Sequence, residues 1–289
     1  NFCTDPIKLV VDGEWLKAEG TTLGADNGIA LAMAMAFALD KEVVHGPMEL
    51  LFTVDEETGL TGANALKPGF IKGKLLINVD SEDEGVFTVG CAGGINTRLR
   101  YPWKRAVVAS GKQAVRISVG QVKGGHSGID IATGKANALK LLARVLDDLS
   151  EKDRIQIGGI RGGSAHNAIP RDAWALLWIQ GNLVETLEEV LSGWQDVFRA
   201  EYAMVDPDIR ISWNREEGGE PLALSEEDSL RLIKVMMAFP HGVAAMSQSI
   251  PGLVETSNNF ASIWVEDETL NILSSQRSSV VSRLNALTR

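Results

Sequence analysis

MELLFTVDEETGLTGA, residues Met48 to Ala63, is a run of mostly apolar, partly β-branched side chains that stops at Asp55, Glu56 and Glu57 and passes into a glycine-marked turn. The pattern predicts a buried strand followed by a loop. A buried strand ending in carboxylates poses a charge problem, because desolvated negative charge is costly without a partner. No lysine, arginine or histidine lies within seven residues on either side of the three acids. Two readings stay open: a solvated loop, or a cation held against the cluster.

The flanking segments extend the strand into a domain. GIALAMAMAFAL, starting at Gly28, is rich in Ala, Leu and Met and predicts a helix. It is apolar on nearly every face, as a helix buried between layers would be. KLLINVD, Lys74 to Asp80, predicts a second buried strand, again running into acids in SEDEG. Helix and strands with polar strand ends make an α/β layered domain, and in such sheets ligands gather beyond the carboxyl ends of the strands. Asp26 in GADNG, the Glu56–Glu57 pair and Asp80 all follow apolar or glycine-rich segments and can converge at one edge. Carboxylate oxygens suit zinc, manganese or magnesium. Adjacent glutamates allow one to bind a metal while the other takes a proton from water. On spacing alone the plainer reading is favoured, since strand ends meet water and neither HExxH nor CxxC occurs.

After CAGG (Cys91 to Gly94) the texture changes. AVRISVGQV (Ala114 to Val122) alternates as a sheet with one wet face does. An amphipathic helix over Gly134 to Leu149 follows, then the strands RIQIGGIRGG and AWALLWIQG, a long helix around Leu183 to Val205, and DIRISWN. This β-α-β-β-α-β order is that of a ferredoxin-like module. The boundary is expected near residues 92–106, dividing the chain into domains 1–93 and 94–289.

Composition narrows the function. The 289 residues are 45% hydrophobic and 23% charged, with 28 basic against 38 acidic residues and a net charge of −10 spread along the chain. With no basic block, phosphate backbones are poor partners and nucleic acid is not expected. The longest apolar run, Ile29 to Leu39, is too short to span a bilayer. Two distant cysteines, Cys3 and Cys91, make no disulfide framework, and a reducing cytoplasm is the default. The chain opens NFCTDP without Met and closes on VVSRLNALTR, a helix-like end, which reads as an internal piece of a longer polypeptide.

Five segments in register carry a resemblance: TTLGADNGIALAMAMA, VVHGPMELLFTVDEETGLTGA, LINVDSEDEG with CAGG, KGGHSG, and GGSAHNAIP. Together they resemble the aminoacyl-histidine dipeptidases (peptidase D, Xaa-His dipeptidase), co-catalytic zinc peptidases of the carnosinase type, over nearly the whole chain. The resemblance implies a partial α/β/α catalytic domain followed by a ferredoxin-like α+β lid that makes a homodimer. It implies hydrolysis of dipeptides, plausibly Xaa-His, with two zinc ions per site and manganese or cobalt as alternatives. Asp26 would bridge the two ions, Glu57 and Asp80 would be ligands, and Glu56 the general base. A cis peptide is expected at Asp26–Asn27, as in related enzymes. His126 would donate across the dimer to the carbonyl oxygen as charge develops. Asn167 would contact substrate, and Arg277 would grip its carboxylate, a task that suits a planar fork.

The family's two zinc-binding histidines have no counterpart here. One belongs to an HxD motif upstream of Asn1 and the other lies beyond Arg289, so this chain by itself is expected to be inactive. An amidase or deacylase of the same superfamily would share every metal residue and differ in the lid pocket. A non-catalytic dimerising lid module is the alternative from another class. The other histidines read as structural: His45 and His241 as turn residues, His166 as a neighbour orienting Asn167. Cys91 reads as a packed small residue and Met33 and Met35 as core filler.

Overall fold

Alternating apolar and polar residues build the larger part of the molecule. The computed structural model describes residues 3–57, 59–80, 85–88, 90–217 and 220–289, and separates into residues 1–89 and residues 90–289. In the first unit, Leu9–Asp12 (β1) and Trp15–Ala18 (β2) pair as an antiparallel hairpin. GIALAMAMAFAL forms α1 (Gly28–Leu39), capped by the Asn27 side chain, which accepts from the Ala30 N–H at 3.1 Å. Thr61–Asn64 adds one turn, α2.

Several expectations fail in this unit. MELLFTV and KLLINVD form no strand, and no described residue before Gly90 is buried. Leu31 on α1 is 49% exposed, and Ile77 in KLLINVD is 83% exposed. A strand exists only through hydrogen bonds to neighbouring strands, and a helix apolar all round needs apolar layers on more than one side. The described residues before Gly90 supply neither, so Met33 and Met35 stand in solvent instead of filling a core. The acids at 81–84 lie outside the described residues.

The second unit opens with β3 (Gly93–Pro102), β4 (Ala106–Val107), β5 (Lys112–Gly120) and β6 (Gly125–His126). Then come α3 (Ala138–Lys152), β7 (Gln156–Gly162), β8 (Ala168–Ile169), β9 (Ala173–Gln180), α4 (Gly181–Glu201) and β10 (Arg210–Arg215). The order β10-β5-β9-β7, all antiparallel, is the ferredoxin-like arrangement read from the alternation. Beyond it the chain adds β11 (Leu222–Ala223), α5 (Glu226–Ala238), β12 (Gly242–Met246), β13 (Val254–Glu266), β14 (Thr269–Ser278) and α6 (Val281–Leu287). β13, β14 and β3 continue the same sheet past β7, with β12 also on β13. The join to the ferredoxin-like half is short, Ile263 against Gly162 and Trp264 against Arg161. Cys91, expected to pack, is exposed just before β3, where no element covers it.

The core follows from α3. Its 3.6-residue periodicity puts Leu139, Leu142, Val145, Leu146 and Leu149 on one fully buried face, against Val115 and Ile117 of β5 and Ala175 and Leu177 of β9. Each such leucine contributes about 1.5–3 kcal/mol by leaving water. Asn137 caps the helix, its Oδ1 accepting from the Leu139 N–H at 2.9 Å, and its Nδ2 donates to the Phe260 carbonyl at 2.9 Å. The same Nδ2 lies 3.2 Å from His241 Nδ1. His241 is thus half-buried at a helix start instead of standing in an exposed turn. Burial, then the nearby Lys140 charge, push its pKa down to about 4. Lys140 in turn donates to the carbonyls of Met236, Met237 and Phe239, which close the C-terminus of α5. β7 ends at Gly162, and Gly163 must be glycine: φ is +69°, and an added Cβ would fall 2.0 Å from the Ala261 carbonyl oxygen at the bulge in β13.

Candidate active site

The candidate residues fall in both units. In the first, Asp26 precedes α1 and its peptide bond to Asn27 is cis. Asn27 Nδ2 donates to the Val79 carbonyl and, at 3.5 Å, to Asp80 Oδ1, tying the Asp26 turn to the Asp80 segment. Around the acidic run the chain folds back on itself. Gly59 and Leu60 N–H groups donate to the Glu56 carbonyl at 3.1 and 2.9 Å, and the Thr61 hydroxyl donates to Asp55 Oδ2 at 2.5 Å. Asp26, Glu56, Glu57 and Asp80 are all exposed. Their charge is therefore solvated, and the desolvation problem of a buried strand does not arise in this unit. Among the described residues no three His, Cys, Asp or Glu side chains group closely enough to hold a metal ion. By chemistry the set does fit a divalent cation, being all carboxylate oxygen on segments of which two are tied by Asn27.

In the second unit KGGHSG forms a braced loop. Buried Asp206 accepts from the Lys123 N–H at 2.6 Å and the Ala136 N–H at 2.8 Å, closing the loop between them. Inside it Asp130 accepts from the His126 N–H at 2.9 Å and from Lys135 Nζ at 2.8 Å. The Lys135 hydrogen bond holds the Asp130 carboxyl below the usual carboxylate range. β6 pairs with β8, His126 opposite Ala168, so the loop bearing Asn167 lies beside the HSG turn. The Ser127 N–H donates to the Asn167 carbonyl at 2.6 Å. From β14, Arg277 reaches the same turn. A Cβ added at Gly128 would meet Arg277 Nη1 at 2.9 Å and His126 Cε1 at 3.0 Å, so the absence of a side chain at 128 lets guanidinium and imidazole approach one point. The structure places His126, Asn167 and Arg277 around one turn.

Three buried polar atoms in this region meet no hydrogen-bond partner among the described residues: Ser127 Oγ, Asn259 Oδ1 and Arg277 Nε. A buried polar atom left so costs about 1–3 kcal/mol, and a binding site is where such atoms gather. Asp206 and Asn259 escaped the sequence reading. Nothing local marks a single Asp after a helix, or an Asn within ETSNNFAS, as a brace for loops tens of residues away. A separate cleft of about 650 Å3, lined by Ser118, Arg161, Asp172, Trp174, Arg210 and Ser212 among others, holds none of the candidate residues.

A ferredoxin-like module that carries a histidine turn on a separate two-stranded ribbon, β6 with β8, defines a class, and residues 117–206 match the M20 peptidase dimerisation domain. The chain is similar to peptidases of that family over nearly its whole length. It is 36% identical over 99% of its length to the cytosol non-specific dipeptidase of Escherichia coli, covering 60% of that protein. It superposes on the crystal structure of aminoacylhistidine dipeptidase from Vibrio alginolyticus with a TM-score of 0.76 and 37% identity, covering 100% of this chain and 59% of that one. The chain thus spans about three fifths of the length of these relatives. Peptidases of this family are generally metal-dependent.

Proposed function

We propose that this chain serves the metal-dependent hydrolysis of dipeptides, Xaa-His among them. One observation carries the reading: an imidazole, a guanidinium and an asparagine loop meet at the HSG turn of a peptidase dimerisation domain. Residues 1–93 act as a partial catalytic domain and 94–289 as the lid, which forms a homodimer. Asp26, Glu57 and Asp80 hold zinc, with manganese or cobalt as substitutes, together with donors beyond these three. When bound, the metal supplies positive charge that polarises the scissile carbonyl and acidifies water. Glu56 takes a proton from the attacking water and passes it to the leaving amine. His126, presented from the partner protomer, donates to the carbonyl oxygen as it becomes an oxyanion. Arg277 donates from its planar fork to the substrate carboxylate, and Asn167 fixes the peptide beside it. The cytoplasm is the proposed setting, as the name of the Escherichia coli relative states for that protein.

The test pairs zinc retention after dialysis with turnover of a panel of dipeptides and N-acyl amino acids, on the chain and on Glu56→Gln and Asp26→Ala/Glu57→Ala variants. Zinc retained by the chain and lost in the double variant supports the ligand assignment. Dipeptide turnover that falls about 100- to 10,000-fold in Glu56→Gln supports the general base. Turnover of N-acyl substrates alone would move the reading to a deacylase. No turnover of either class is the outcome expected of a chain without the two zinc-binding histidines, and retention equal to the double variant's would sink the metal site and move the reading to the dimerising lid module.

A further inference from the structure

We propose that Asn259 is the positioning residue for Asn167, an inference that rests on the dipeptidase reading above. Asn259 is 1% exposed on β13. Its Nδ2 donates to the His166 carbonyl at 3.2 Å and to the Ala168 carbonyl at 2.8 Å. Both acceptors are carbonyl oxygens, which cannot donate, so the amide orientation is fixed and both of its hydrogens are used. The carbonyl between them, that of Asn167, accepts from the Ser127 N–H. Three successive carbonyls are therefore held, two by one buried side chain and one by the HSG turn. The Asn167 side chain, which makes no hydrogen bond among the described residues, projects from a clamped backbone.

Asn259 also links this loop to the arginine. Asn259 pairs with Ser275 and Ser257 with Arg277 in the β13–β14 register, so Asn259 and Arg277 are diagonal neighbours on one face. Both carry an unpartnered buried polar atom, an acceptor on Asn259 and a donor on Arg277. A peptide carries donors and acceptors of both kinds. Asn259 thus sets the spacing between the loop that contacts substrate and the guanidinium that grips it, without belonging to the chemistry.

The test uses the full chain with Asn259→Asp, which keeps the shape but turns oxygen toward both carbonyls, and Asn259→Ala, which removes the donors without adding charge. Amide hydrogen exchange of Ser127 is read beside that of the α3 core amides as a folding control, and dipeptide kcat and KM are measured at saturating metal. Expected is at least a tenfold faster Ser127 exchange with α3 unchanged, and at least a tenfold rise in KM with kcat within threefold. Adding Asn167→Ala to Asn259→Ala should raise KM no further, since both act through one contact. Unchanged Ser127 exchange, a fall in kcat at constant KM, or additive effects of the two substitutions would each overturn the inference. If the unsubstituted chain turns over no dipeptide, as expected without the two zinc-binding histidines, the exchange measurement alone decides whether Asn259 clamps the loop.

Discussion

Leu142 of α3 and Leu31 of α1 are the same residue type in two helices, yet one is fully buried and the other 49% exposed. The two helices differ in what their faces ask for. α3 is amphipathic and needs one apolar partner, which β5 and β9 of its own unit provide. α1 is apolar all round and needs several, which residues 1–89 do not contain. The lesson extends to the strands. Those of the second unit alternate and meet neighbours within the unit, whereas MELLFTV and KLLINVD are continuous apolar runs, the pattern of strands covered on both faces. A pattern can state how much burial a segment is built for, and only other chain can supply it.

Three measurements would break or sharpen this comparison. Limited trypsin digestion gives the largest effect. Lys41, Lys72 and Lys74 are exposed and lie outside helix and strand, so cleavage there should run roughly 100-fold faster than at Lys140 or Arg144 within α3, because proteolysis tracks the open population. Equal rates would show that the first unit is protected in solution and end the contrast. Next, Leu142→Ala should cost about 2–5 kcal/mol in urea unfolding, against less than about 0.5 kcal/mol for Leu31→Ala. A comparable loss at Leu31 would place α1 in a packed environment.

The third concerns His241, whose pKa of about 4 in the folded chain lies below the ordinary histidine value of 6.5. Between those values the unfolded chain binds a proton that the folded one does not, so stability is full above pH 6.5 and is lost as pH falls toward 4. The loss reaches about 3 kcal/mol at most and falls on the second unit alone. Urea unfolding of that unit at pH 7 and pH 4.5 checks it. His241→Gln should flatten the difference, and an unchanged pH dependence in that variant would assign the effect to other groups.

Legibility followed the same division. The ferredoxin-like half was readable because its signals are local: period 2 in AVRISVGQV, period 3.6 in ALKLLARVLDDL, and apolar strands between. The β13–β14 hairpin was not. Its two-residue turn is Asp267–Glu268, both at positive φ, where the usual Asn-Gly or Asp-Gly signal is missing. Its strands also carry buried Asn258, Asn259, Ser274, Ser275 and Gln276, which in sequence look like loop. Asn258, Ser274 and Gln276 are tolerated inside because they bond one another: Ser274 Oγ donates to Asn258 Oδ1 at 2.8 Å and Gln276 Nε2 donates to Ser274 Oγ at 2.9 Å.

From sequence alone came the family resemblance, the candidate residues, the helix at Gly28 and the order of the ferredoxin-like elements. Each depends on residue type and short spacing, which a linear string records. Only the tertiary structure decided that β13 and β14 extend that sheet, that Gly128 admits both Arg277 and His126, and that Asp206 and Asn259 brace the loops on either side. Those features arise where segments distant in the chain meet, and a side chain's hydrogen-bond partner a hundred residues away leaves no periodicity to read. The exposed state of the described residues before Gly90 has the same origin: their pattern records a demand for burial, and only neighbouring chain in space can meet it.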